Sequence, residues 1–133
     1  MACGDDVAVA GSTIDRVRRI ALALPGVDES PSWYGTPSFR VRKTSFARLR
    51  EDGATLVVKV NYYERRSLIE ADPDAFFIDD DLRVHPWMLV RLSAVPADAL
   101  RERIEEAWRL VAPKRLVAEY DRTHAAAQHQ GRE

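Results

Sequence analysis

The densest group of side chains that could do chemistry lies in residues 40–50, RVRKTSFARLR, where five of eleven residues are basic. Arginine and lysine donate hydrogen bonds to phosphate oxygens, and the arginine guanidinium can do so bidentately. Contact with a nucleic-acid backbone is therefore one chemistry that this segment could perform. The alternative is the solvated face of a β-hairpin, on which arginine is an ordinary residue.

Few other residues have the types and spacing that catalysis or metal binding needs. The sequence contains no G-x-S-x-G, H-E-x-x-H or C-x-x-C motif and no phosphate-binding glycine loop. His85 is the only histidine before the last ten residues, and a general base needs partner groups that the sequence does not supply. The three consecutive carboxylates of residues 79–81 cannot all face one ion, which favours a solvated acidic turn. We therefore expect no enzymatic activity, no catalytic residue, no metal site and no cofactor.

Composition limits the class of protein. A chain of 133 residues predicts one domain with its own hydrophobic core. The formal net charge is −1, whereas a dedicated nucleic-acid domain is more often strongly basic. Cys3 is the only cysteine, which excludes an internal disulfide. No signal peptide and no apolar run of membrane-spanning length is found, so we expect a cytoplasmic monomer or weak homodimer without membrane contact.

Hydrophobic periodicity predicts the elements that position the basic segment. Apolar residues spaced by three and four positions indicate an N-terminal helix ending at Pro25–Gly26: Ile14, Val17, Ala21 and Leu24. Residues 27–38, rich in proline, glycine and serine, are typical of a loop. Three alternating runs joined by the short links KTS and EDG then predict an antiparallel meander, although Phe46 falls among the basic positions of its run.

The rest of the chain completes an α+β pattern. Asn61 can cap a helix that ends near Asp72–Pro73. AFFI and WMLVRL are strand candidates, Pro96 opens a long helix, and a short helix runs from Pro113 to about Tyr120. We expect an antiparallel sheet of about five strands with the N- and C-terminal helices packed on one face. The single domain covers residues 12–120, between a flexible leader (1–11) and a flexible C-terminal tail (121–133).

In this arrangement the basic residues project from the sheet face opposite the core. Lys43 and Thr44 form the hairpin tip, and Arg91 joins the face if its strand is adjacent. The predicted nucleic-acid contacts are Arg40, Arg42, Lys43, Arg48, Arg50, Lys59 and Arg91. Residues 64–81 carry seven acidic and two basic residues, and they cancel the positive field if they fold against this face.

A second interpretation is an adaptor domain that binds a protein or a small ligand. Its basis is the aromatic loop SPSWYGTPSF, together with HPW at residues 85–87. Trp33 and Tyr34 either line a groove there or cap the edge of the core, and their burial distinguishes the two.

Several phrases, in order over residues 14–118, resemble the MmcQ/YjbR family: LALPGVDES, GTPSFRVRKTSFARL, LVVKV, ADPDAFF, HPWMLVRL and EAWRLVAPKRL. The resemblance implies a CyaY-like α+β fold. It also implies DNA binding by a "double wing" of hairpins, with no catalytic residues and no cofactor. The expected partner is duplex DNA, bound weakly through about four phosphate contacts. The logarithm of the binding constant should then fall with the logarithm of the salt concentration with a slope of about −3.6.

Overall fold

The computed structural model describes residues 14–32 and 34–132, and only the backbone of residues 124–132. The helices and strands follow one another as α1 (14–22), β1 (Val27–Pro31), β2 (Pro37–Val41), β3 (Thr44–Leu49), β4 (Thr55–Lys59), α2 (Tyr62–Ala71), β5 (Phe76–Phe77), β6 (Trp87–Arg91), α3 (Ala97–Val111) and α4 (Lys114–Arg132). A 3-10 turn, Asp80–Leu82, lies between β5 and β6. Within these ranges, none of the helices combines the length and the apolar character needed to cross a bilayer.

The strands form one antiparallel sheet in the order β1-β2-β3-β4-β6-β5, which confirms the predicted α+β fold. The sheet has six strands rather than about five, because residues 27–31 form the edge strand β1 instead of a loop. Val27 pairs with Val41 and Pro31 with Pro37. The sequence signal was weak because an edge strand can tolerate proline and buries little apolar surface.

The hydrophobic core lies between one face of the sheet and helices α1, α3 and α4. Val17 and Ala21 of α1 and Ile104 and Trp108 of α3 are fully buried against sheet residues such as Phe39. The long helix predicted after Pro96 is therefore confirmed, and its buried face consists of Leu100, Ile104, Ala107 and Trp108. Burying one large side chain of this kind contributes about 2–3 kcal/mol, so the core face supplies most of the folding energy.

A β-bulge accounts for the position of Phe46. Ala47 pairs with Phe39 and Ser45 pairs with Arg40, so Phe46 is the extra residue between them. A bulge lets two consecutive side chains turn to the same side. Phe46 and Ala47 are both fully buried in the core as a result.

The C-terminal helix is longer than the sequence predicted. It continues to Arg132 rather than ending near Tyr120, so the helix includes residues of the predicted tail. Its run of alanines has a high helix propensity even though the sequence lacks an apolar period there. The predicted leader, residues 1–11, and Cys3 within it lie outside the described residues.

Candidate nucleic-acid interface

The turn between β2 and β3 consists of two cationic residues. Arg42 has φ 50° and Lys43 has φ 72°, which is the left-handed region at both positions. Such a turn matches the twist of a hairpin, but it is usually built with Asn-Gly because other residues are strained there. The sequence placed Arg42 on the sheet face and Lys43–Thr44 at the tip. Lys43 lies at the tip as predicted, but Arg42 joins it there instead of the sheet face, and Thr44 begins β3 instead of the turn.

Both side chains at this tip are exposed to solvent. Neither of them lies within ion-pair distance of a carboxylate in the part of the chain that the structure describes. The tip therefore presents two positive charges that none of the described acidic side chains pairs with.

The other predicted cations lie on the face of the sheet opposite the helices, which we call the outer face. Strand pairing sets Arg48 beside Val57, Lys59 beside Trp87 and Arg91 beside Thr55. Arg40 projects to the same side from β2, and Arg50 continues the alternation of β3 with its amide bonded to the Thr55 carbonyl (2.8 Å). The sequence included Arg91 in this face only if its strand was adjacent to the meander. Since β6 pairs with β4, Arg91 belongs to the outer face.

Two arginines of the outer face are paired with carboxylates. Arg40 contacts Asp28 at 3.2 Å, and Arg50 contacts Asp79 at 2.9 Å. Each of these side chains is at least a third exposed, so each pair contributes about 0–1 kcal/mol. Their importance here is that they neutralise positive charge.

The remaining outer-face cations lie over aromatic rings. The Arg48 guanidinium is 4.6 Å from the centre of the Tyr34 ring, and the Lys59 ammonium is 5.6 Å from that of Trp87. Arg91 is 4.4 Å from the Phe77 ring and also donates to the Asp74 carbonyl. At exposed sites such cation–π contacts contribute about 0.5–1 kcal/mol each. All five cations of the outer face therefore have a partner.

The acidic segment folds against this basic face rather than away from it. The chain from residue 78 to 86 crosses the outer face, and Asp79, Asp81 and Leu82 line a cavity of about 330 Å³ together with Arg48 and Arg50. The floor of the cavity is Val57 and Leu89, which are 2% and 0% exposed yet lie outside the main core cluster. The centre of the face is thus covered, and its positive field is partly cancelled.

A buried arginine that the sequence analysis missed holds this crossing segment in place. Arg65 of α2 is 6% exposed. Its guanidinium donates to the carbonyls of Leu82 (2.8 Å), Arg83 (2.8 Å), His85 (2.6 Å) and Trp87 (2.9 Å). The signal was present in the sequence, because Arg65 shares a helix face with the apolar Leu68 and Ile69 at spacings of three and four.

His85, the acidic turn at residues 79–81 and the aromatic loop were the other candidates for catalysis, metal binding or ligand binding. His85 is exposed, and its carbonyl accepts from Arg65. Asp79 accepts from the Leu82 amide as well as from Arg50, so it caps the acidic turn. In the described ranges no three histidine, cysteine or acidic side chains converge as metal ligands. Tyr34 is 56% exposed, whereas Trp33 lies outside the described residues.

Polar contacts fix α4 against α3 at the other side of the sheet. The Tyr120 hydroxyl donates to Glu105 at 2.7 Å, and Arg109 pairs with Asp121 at 2.6 Å. Burial and this hydrogen bond raise the pKa of Tyr120 to about 12. The Tyr120 phenol consequently stays a hydrogen-bond donor over the ordinary pH range.

Comparison with known proteins adds a family match and a structural match. A family model described as YjbR matches residues 22–110. The crystal structure of the Deinococcus radiodurans protein DR2400, with a DUF419 domain, is similar with a TM-score of 0.64 and 28% sequence identity. The match covers 76% of this chain and 79% of that chain. No curated protein matches the chain.

Proposed function

The chain belongs to the YjbR family, and from this premise we propose that it is a non-enzymatic protein that binds duplex DNA weakly through the β2–β3 hairpin. One observation carries the proposal: both turn residues, Arg42 and Lys43, are exposed cations in left-handed conformations, without a carboxylate partner in the described residues. A left-handed residue other than glycine costs about 1–3 kcal/mol. Two long cations at such positions point to a role outside folding.

The chemistry of the tip favours contacts to phosphate rather than to bases. Arginine and lysine on a two-residue turn can reach neighbouring phosphates, and phosphate contacts carry affinity without sequence specificity. The outer-face cations are expected to contribute less, because a bound phosphate would have to displace Asp28 from Arg40 or Asp79 from Arg50. The crossing segment also covers the middle of that face.

The proposal is tested by titrating a labelled DNA duplex with the protein over a series of salt concentrations. Under counterion release, one phosphate contact is worth about a factor of ten at about 50 mM salt. Replacing both tip cations, Arg42→Gln/Lys43→Gln, is therefore expected to weaken binding about a hundredfold at that salt.

A matched control removes two exposed arginines away from the hairpin. Arg66→Gln/Arg101→Gln changes the net charge equally and is expected to leave the affinity within about threefold, because these exposed residues lie on α2 and α3 and not on the hairpin or α4. Affinity that is independent of salt in the parent protein would reject the proposal. Equal losses in the two double variants would reject the hairpin as the contact.

The cavity on the outer face favours a second candidate function, a protein- or small-ligand-binding adaptor. Tyr34 is exposed at its rim, and the floor of Val57 and Leu89 is apolar. Adaptor function predicts that amide chemical shifts around Val57 and Leu89, rather than around Lys43, respond to the binding partner. Tyr34→Ala would then abolish binding, while Arg42→Gln/Lys43→Gln would leave it intact.

A further inference from the structure

The start of α4 lies beside the β2–β3 hairpin. A Cβ placed on Gly26 would be 2.9 Å from Leu116 Cδ1 and 3.6 Å from Val41 Cγ1, so both side chains pack at this glycine. Val41 directly precedes the hairpin turn, and Leu116 follows the first two residues of α4. Leu116 of α4 and Val41, at the base of the hairpin, therefore meet at Gly26, which places the start of α4 at the hairpin end of the sheet.

The first two residues of α4 are cationic. Lys114 and Arg115 are exposed. Among the described side chains, no carboxylate lies within ion-pair distance of either. The acid nearest to them in the sequence is Glu119, one turn along α4, and it forms no ion pair with Arg115. These two charges are as uncompensated as those of the hairpin.

The position of this helix start is fixed by packing. Leu116 and Val117 pack against the core, and the Tyr120–Glu105 and Arg109–Asp121 contacts hold the next turns on α3. The four cations therefore keep a constant arrangement, which we call the basic end: Arg42, Lys43, Lys114 and Arg115.

We propose that Lys114 and Arg115 form a second phosphate-binding arm, so that the hairpin and the start of α4 both contact the phosphate backbone of one DNA duplex. The inference rests on the proposed function, since it adds a second contact to the same DNA surface. Four phosphate contacts give a log–log salt slope of about −3.6 for duplex DNA, whereas the hairpin alone gives about −1.8. Binding by two arms and binding by the hairpin alone are thus distinguished by the salt dependence of the affinity, and not by the affinity at one salt concentration alone.

The test is the salt dependence of duplex binding by the full chain and by Lys114→Gln/Arg115→Gln. We expect a slope of about −3.6 in the parent and about −1.8 in the variant, with about a hundredfold weaker binding at about 50 mM salt. Both positions are exposed, so the thermal unfolding midpoint should be unchanged, and this is measured alongside. Arg66→Gln/Arg101→Gln serves again as the charge-matched control and should keep the parent slope.

The possible outcomes distinguish the second arm from duplex binding by the hairpin. A parent-like slope in Lys114→Gln/Arg115→Gln, combined with a reduced slope in Arg42→Gln/Lys43→Gln, overturns the second arm and leaves hairpin binding in place. A flat salt response in the parent overturns the proposed function and the second arm with it. Equal slope reductions in both double variants support two arms of equal weight.

Discussion

The outer face and the basic end are both rich in cations, but the two regions use them differently. On the outer face each cation lies against an acid or a ring: Arg50 against Asp79, Arg48 against Tyr34 and Lys59 against Trp87. At the basic end, Lys43 and Lys114 are exposed with no carboxylate in ion-pair range among the described side chains. This difference is why we assign the proposed binding to the basic end, whose charges have no acidic partner among the described side chains, and not to the outer face.

The outer face also shows how a cationic surface can serve stability. Its apolar floor of Val57 and Leu89 is small, and the segment that covers it is held by hydrogen bonds to Arg65 and by the pair between Arg50 and Asp79. Here the arginines fix a loop against the sheet. The contrast with the basic end can be sharpened or broken by three substitutions, each paired with a control substitution, and the three are described from the largest expected effect to the smallest.

The largest effect is expected from Arg65→Ala. Four hydrogen bonds from a charged, buried donor to the crossing segment are lost at once, which should lower the free energy of unfolding by about 3 kcal/mol. Urea denaturation measures this loss. The proposed duplex binding by the basic end should persist, since the contacts that the structure describes for the Arg65 side chain lie on residues 62 and 82–87.

Arg66→Ala is the matched control for Arg65. Its side chain is 89% exposed and, among the described residues, pairs with Glu70 on the same helix, so its removal should cost about 0.5 kcal/mol or less. If the two alanine variants were equally stable, Arg65 would not hold the segment that covers the outer face. The distinction between a structural and a binding region would then fail.

A smaller effect is expected from Gly26→Ala, which perturbs the junction within the basic end. Gly26 has φ +75°, and its Cβ would meet Leu116 at 2.9 Å, so strain and crowding together should cost about 2 kcal/mol. Because Leu116 must shift, the substitution should also weaken duplex binding. Chemical denaturation and the salt titration measure the two effects.

Gly53→Ala isolates the contribution of backbone conformation. Gly53 has φ +70°, but a Cβ there would meet nothing within 4 Å, so only the cost of the left-handed conformation, about 1 kcal/mol, is expected. Equal losses at the two glycines would show that the end of the Leu116 side chain moves away from the added methyl group at little cost.

Most of the fold could be predicted from the sequence because its signals are local. The α3 stripe of Leu100, Ile104, Ala107 and Trp108 is a helical period, and Asn61 caps α2 as expected, accepting from the Tyr63 amide. The strand β1 was missed because an edge strand needs neither alternation nor a continuous apolar run. The bulge at Phe46 was visible only as a break in the alternation of β3.

The candidate site could be predicted only in part. The sequence shows which residues of the candidate site are basic, but it does not show which carboxylates or rings they contact. Asp79 is 29 residues from Arg50 and Asp28 is 12 residues from Arg40, and no local pattern encodes such pairs. The position of the α4 start relative to the hairpin likewise depends on how Leu116 packs at Gly26. Charge neutralisation and the clustering of the basic end are therefore properties of the tertiary fold.

The most direct test of the account compares one lysine from each region. Lys43→Gln removes a hairpin-tip charge, and Lys59→Gln removes an outer-face charge that lies over Trp87. We predict that Lys43→Gln weakens duplex binding about tenfold at about 50 mM salt and reduces the salt slope by about 0.9, whereas Lys59→Gln leaves both within about twofold of the parent. Equal losses in the two variants, or a larger loss in Lys59→Gln, would contradict the claim that the basic end, and not the outer face, binds DNA.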